Sequence, residues 1–317
     1  MESRKLEGLY RALLRIRRVE EEIVRIYPTD TIKCPVHLSI GQEGISVGVC
    51  AALRPEDVVF GTYRSHALYL AKGGDLRAMM AELYGKATGC AKGKGGSMHL
   101  VDPDHGVMGV SAVVGSTVPV AVGYAYAAKL QKRRIVVASF FGDGTVDGGA
   151  FHESLNLAKL KNLPILFICE NNRYATHTHQ RDRHSVDNIY EKARVYGIPA
   201  ERVERDDPVS VLERVAPTID KIRSGDSGPV FFECMTYRRK EHVGPDDDFG
   251  LGYRARTEAE PWIRADGCRQ LAARIDPELR RQLEAEVEAE IREAIRFAED
   301  SPFPDPSELY TDVFKET

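Results

Sequence analysis

Residues 141–144 read Phe-Gly-Asp-Gly at the end of one apolar run, and residues 170–174 read Glu-Asn-Asn-Arg-Tyr at the end of a second. Asp143 and Asn172 stand 29 residues apart, about one strand-helix-strand unit. In open α/β sheets, ligands bind outside the carboxyl ends of the strands, so two neighbouring strands would bring both residues to one crevice. A carboxylate and an amide oxygen are hard ligands that suit Mg2+, which uses one or two protein ligands and takes phosphate oxygens and water for the rest. Gly142 and Gly144 permit a sharp turn and close approach to an anion, and the helix that follows aims its first N–H groups at the same place. The chemistry indicated is a magnesium-bound diphosphate. Either half alone is more often a plain turn or loop, and it is the pair at this spacing that points to a site.

The elements that must position these residues follow from the hydrophobic pattern. From residue 115 strands and helices alternate: helix 118–130, strand 134–141, helix 148–161, strand 164–169, helices 186–196 and 208–223, and strand 229–235. The two central strands are continuous apolar runs, as expected for a parallel sheet covered on both faces. Upstream, apolar residues at three- and four-residue spacing predict a helix over 3–27 and another over 41–53. A short strand follows at 58–60, then helices at 66–72 and 75–85 and a glycine-dense loop at 89–97. Asp207-Pro208 and Asp276-Pro277 each supply an N-cap followed by proline at the first helical position. The second opens an amphipathic helix with Leu279, Leu283, Val287, Ile291 and Ile295 on one stripe. The expected organisation is a helical extension over 1–35, an α/β domain over 36–255 and a C-terminal helical extension over 256–317.

Composition excludes several classes. The 317 residues carry 44 Lys and Arg against 48 Asp and Glu, a net charge of −4, so no electrostatic footprint points to nucleic acid or an anionic membrane. The six cysteines are scattered with no C-x-x-C pair, which suggests neither a zinc ribbon nor a disulfide framework, and a reducing cytoplasm is the expected location. The longest apolar runs fall far short of the roughly 20 residues that span a bilayer. Acidic residues interrupt the N-terminus, against a signal or transit peptide.

With the Gly-Asp-Gly and Asn-Asn segments in place, the sequence resembles the thiamine diphosphate motif. More closely, it is similar to the α subunit of the E1 component of 2-oxo acid dehydrogenases, the group acting on pyruvate, branched-chain 2-oxo acids and acetoin. The resemblance runs through His37-Leu-Ser-Ile-Gly-Gln-Glu43, Thr62-Tyr-Arg-Ser-His66, Gly93-Lys-Gly-Gly-Ser-Met-His99, Val114-Gly115 before Pro119, the motif itself and Thr236-Tyr-Arg238. It covers residues 37–254, about two-thirds of the chain. It implies an α/β parallel-sheet thiamine diphosphate-binding fold, with Asp143, Asn172 and the Tyr174 carbonyl on Mg2+. Gly144, Thr145, Tyr63 and Arg64 would meet the diphosphate, and main-chain groups at Ala112 and Val114 the aminopyrimidine. His242 would be the catalytic histidine of the loop after the last strand. A guanidinium offers phosphate a planar, charge-assisted fork, and an imidazole can stabilise or protonate the oxygen of a carbonyl adduct.

The family resemblance also implies what is missing. The glutamate that activates the pyrimidine belongs to a separate β subunit, so the chain is expected to supply the diphosphate half of a shared site in an α2β2 assembly. The expected activity is decarboxylation of a 2-oxo acid, or cleavage of a ketone such as acetoin, with acyl transfer to a lipoyl-bearing acyltransferase. A transketolase-like carbon–carbon ligase or lyase and a catalytically silent regulatory subunit are the alternatives. The histidine loop departs from the phosphorylated version of the mitochondrial members: it reads Arg239-Lys-Glu-His-Val-Gly-Pro-Asp-Asp-Asp248, without Ser or Thr between Tyr237 and Tyr253. Asp147 replaces a family asparagine. His66 divides between a phosphate contact and packing, and His177, His179 and His184 read as a solvated or cofactor-covering loop. The Lys92/Lys94 loop lacks phosphate-loop order and reads as a structural turn.

Overall fold

A computed structural model describes residues 3–311. The chain opens with α1 (Ser3–Ile26) and α2 (Glu43–Cys50), then β1 (Val58–Thr62), α3 (His66–Lys72), α4 (Leu76–Leu83) and β2 (Val107–Ser111). The central part runs α5 (Thr117–Leu130), β3 (Val137–Gly142), α6 (Gly149–Leu160), β4 (Ile165–Asn171), then the two-residue strands β5 (Tyr174–Ala175) and β6 (Thr178–His179). It continues through α7 (Ile189–Arg194), β7 (Ala200–Val203), α8 (Pro208–Ser224) and β8 (Val230–Met235). Three helices follow: α9 (Arg256–Arg264), α10 (Gly267–Ala272) and α11 (Pro277–Asp300). No helix among the described residues is long and apolar enough to cross a membrane.

Six strands form one parallel sheet in the order β2-β1-β3-β4-β8-β7. Because strand side chains alternate, the apolar runs of β3 and β4 serve two cores at once. Val137, Phe141, Phe167 and Phe231 pack with Val118 and Val122 of α5 and Phe151 and Leu155 of α6. Ala138, Phe140, Leu166, Ile168 and Phe232 pack on the other face with residues of α1, α2 and α8. Chain order reverses between β1 and β3, which opens a crevice at their carboxyl ends. Gly142 pairs in register with Glu170, so β3 and β4 end level and deliver Asp143 and Asn172 side by side.

The terminal helices are stitched to the body. The stripe of α1, including Leu13, Ile16 and Ile23, and that of α11, including Leu283, Val287 and Ile291, belong to the same core. The Asp207 and Asp276 side chains cap α8 and α11 as anticipated. The glycine-dense loop spends its N–H groups on the chain's own buried Glu82, which accepts from Ala91, Gly93, Gly95 and Gly96, so it is a turn wrapped on a carboxylate. The edge strands β2 and β7 were not anticipated: Gly109 breaks the pattern of one, and the other is four residues with Glu and Arg at its centre. The helix expected at 186–196 shrinks to Ile189–Arg194, and that at 41–53 to Glu43–Cys50, because Gly41 turns with φ +95°.

Candidate functional site

One cleft lies at the carboxyl ends of β1, β3 and β4. Tyr63 and Arg64 line one side, Gly142 to Thr145 and Glu170 the floor, and Asn172 and Tyr174 the other side, with Val114 and His242 at the rim. Every residue to which the resemblance gave a cofactor, metal or catalytic role lines this cleft except Ala112. After β2 the chain turns outward through a bond from Val113 N–H to Ser111 Oγ at 3.1 Å, leaving Ala112 off the cleft and Val114 58% exposed.

Asp143 is buried, and burial pushes its carboxyl up to about 6 although the Arg183 guanidinium beside it pulls the other way. The Asn172 amide is oriented from both ends. Its Nδ2 donates to Gln42 Oε1 at 2.8 Å, and its Oδ1 accepts from Tyr174 N–H at 3.0 Å, keeping one lone pair for another partner. Gly144 cannot carry a side chain cheaply, since a Cβ there would lie 3.0 Å from that of Ala175. The Glu170 carboxyl, with no side-chain hydrogen bond among the described residues, is held up at about 8 by burial and then by Asp206.

On the facing wall three rings pack together: His37 lies 4.5 Å from Tyr63 and 5.2 Å from His242, and Tyr63 lies 5.6 Å from His242, centroid to centroid. Burial and then Arg64 push His37 and His242 down to about 3, so both imidazoles are neutral. Arg64 donates to the carbonyls of Leu38 at 2.7 Å and His242 at 2.9 Å, tying the histidine loop to the cleft wall. The loop is closed from behind by buried Asp248, which takes Arg254 Nε at 2.7 Å, Arg238 at 3.2 Å and the Tyr253 hydroxyl. Its neighbour Asp247 instead pairs at the surface with Lys240.

The sequence model of the dehydrogenase E1 component family matches residues 11–307. The chain is 38% identical to the α subunit of acetoin:2,6-dichlorophenolindophenol oxidoreductase of Bacillus subtilis, over 96% of this chain and 92% of the relative. It is 35% identical to the pyruvate dehydrogenase E1 component subunit α of Porphyra purpurea, over 98% and 93%. A third relative, the pyruvate dehydrogenase E1 α subunit of Rhizobium meliloti, is 36% identical over 96% and 88%. This chain belongs to the dehydrogenase E1 component family. Within it, the E1 chain groups with the α subunits of 2-oxo acid and acetoin dehydrogenases, a family that implies thiamine diphosphate as cofactor.

Several residues of the E1 α chain's cleft were not singled out by their roles. Gln42 and His37 lie in the His37–Glu43 segment that carried the family resemblance, but only tertiary contacts reveal that one orients Asn172 and the other backs His242. Glu170 adjoins the Asn-Asn pair, and Thr62 ends β1 beside Tyr63. His66 is a packing residue: it is fully buried between Glu20, 3.1 Å from Nδ1, and Ser97, 2.7 Å from Nε2, away from the cleft. His177, His179 and His184 do not converge, and among the described residues no group of three or more His, Cys, Asp or Glu could hold a metal ion. A magnesium site built from one carboxylate, one amide and one carbonyl is consistent with that, because phosphates and water complete it.

Proposed function

We propose that this chain is the α subunit of a thiamine diphosphate- and Mg2+-dependent E1 enzyme that decarboxylates a 2-oxo acid, or cleaves a ketone such as acetoin, and passes the acyl group to a lipoyl acceptor. What carries this is the convergence of Asp143, Asn172, the bare Gly142–Gly144 turn, Arg64 and His242 on one cleft. The residues present fit the group. Asp143 offers a buried carboxylate, Asn172 Oδ1 keeps a lone pair in the same cleft, and Gly144, where a Cβ would press on Ala175, leaves the turn bare for phosphate oxygens.

Asp143, Asn172 and the Tyr174 carbonyl would hold the metal, and Gly144, Thr145, Tyr63 and Arg64 the diphosphate. When bound, thiamine diphosphate supplies the electron sink that a departing carboxylate requires. This chain's part is to bind, orient and stabilise charge. His242, neutral in its buried setting, presents an N–H to the developing oxyanion; Tyr63 and His37 fix its ring and Arg64 its backbone. The carboxylic acid that activates the pyrimidine is assigned to a β subunit in a cytoplasmic α2β2 assembly. The relatives named as α subunits support a partner subunit, as do the exposed apolar residues Val113 and Val114 beside the cleft. A lipoyl-bearing acyltransferase would be the acceptor.

Calorimetry of the chain with its β subunit should show thiamine diphosphate binding that requires Mg2+, and the complex should turn over a 2-oxo acid or acetoin with lipoamide. Absence of that binding would remove the proposal, and full decarboxylation by the α chain alone would remove the shared site. The Glu-His-Val-Gly-Pro loop favours a second outcome, carbon–carbon ligation to an aldehyde, which the same complex supplied with aldehyde in place of lipoamide would reveal.

A further inference from the structure

Arg183 lies across the Gly-Asp-Gly turn. One guanidinium nitrogen pairs with Asp143 and the other with Asp147 at 2.5 Å, and His184 Nε2 stands 2.5 Å from the second Asp147 oxygen. Among the described residues the guanidinium bonds only to these two carboxylates, and its Nε is buried without a partner. Asp147 supplies the second carboxylate of the clasp. The segment that carries Arg183 is moored on its far side: Asn171 Nδ2 donates to Gln180 Oε1 at 2.8 Å, and Asp187 pairs with Arg202 at 3.2 Å.

Arg183 holds one oxygen of the Asp143 carboxylate, and a divalent metal brought onto the same buried group would sit within a few ångströms of the guanidinium, so the two cations repel and compete for it. We propose that Arg183 is the resident cation of the Asp143 carboxylate, exchanged for the divalent metal as the site loads, with Asp147 and His184 keeping Arg183 beside the turn during the exchange. The inference rests on the magnesium diphosphate site proposed above. Its consequence is a lowered apparent metal affinity, since metal can bind only while Asp143 is free of Arg183. The same exchange couples site loading to the 176–188 segment, whose bond to the turn is released at Asp143 and kept at Asp147.

The test titrates Mg2+ into the α–β complex at fixed thiamine diphosphate by calorimetry, with hydrogen exchange of residues 181–186 as a second readout. In Arg183→Gln, Mg2+ should bind about three- to tenfold more tightly, as when a competitor holds a site for most of the time. Metal should alter exchange of 181–186 in the wild type and not in this variant. Asp147→Asn, which removes one of the two anchors, should move affinity in the same direction by less. Weaker or unchanged Mg2+ binding in Arg183→Gln would overturn the exchange while leaving the metal site standing. A wild-type complex that binds neither Mg2+ nor thiamine diphosphate would overturn both.

Discussion

Replacing Asp248 by Asn should open the histidine loop. Asp248 is fully buried, and among the described residues it is the carboxylate partner of both Arg238 and Arg254, whose side chains are 2% and 0% exposed. Arg254 also holds the carbonyls of Arg238 at 2.6 Å and Lys240 at 3.0 Å, so this cluster fixes the start of the segment that carries His242. The amide keeps the shape and can still bond Tyr253, but it leaves two guanidinium charges out of water without an anion. Breaking such a buried pair from one side costs about 3 kcal/mol or more, roughly a hundredfold in the population of opened loop. Hydrogen exchange of residues 239–253 at neutral pH should report that acceleration, with urea unfolding separating loop opening from global loss. The pH dependence has a definite sign. Burial raises the Asp248 carboxyl, but bonds from Tyr253 and Arg254 draw it below the ordinary 3.8 overall. Its contribution is therefore fully present above about pH 4 and is lost as pH falls through the folded value. Wild-type loop exchange, corrected for intrinsic rates, should rise only below that pH, whereas the Asn variant should already be raised at neutrality. Equal loop protection in both proteins would refute the view that this cluster staples the loop.

Three further outcomes follow. His242, pushed down to about 3, should show neutral-imidazole nitrogen shifts by NMR from pH 5 to 8, and a titration near 6.5 would contradict its desolvated setting. Gln42→Leu removes the acceptor that turns the Asn172 amide oxygen toward the cleft; Mg2+ affinity should fall about tenfold by calorimetry, the usual scale for residues that orient metal ligands. Gly41→Ala combines φ +95° with a Cβ only 2.4 Å from the Tyr237 carbonyl oxygen, a backbone atom that cannot rotate away, so urea unfolding should register a loss of about 2 kcal/mol or more.

Legibility followed the range of the physics. Core strands were readable because a strand buried on both faces must be apolar throughout, and helix starts at Asp207 and Asp276 because capping involves neighbours in sequence. The edge strands were not, since Ala200–Val203 is held by pairing with β8 and carries no pattern of its own. Within the site, Asp143 and Asn172 announced themselves by residue type and spacing, whereas His66 could not be assigned: its partners Glu20 and Ser97 lie 46 and 31 residues away along the chain.

By itself the sequence determined which atoms are offered: a carboxylate, an amide and a bare glycine turn at adjacent strand ends, and an imidazole after the last strand. Tertiary structure decided their state. It made His242 neutral, by enclosing it with Arg64 and His37, and set the Asn172 amide through Gln42. It also laid Arg183 on Asp143, 40 residues away along the chain. Protonation, amide orientation and charge pairing depend on burial and on neighbours brought in from distant segments, and those quantities exist only once the chain is folded.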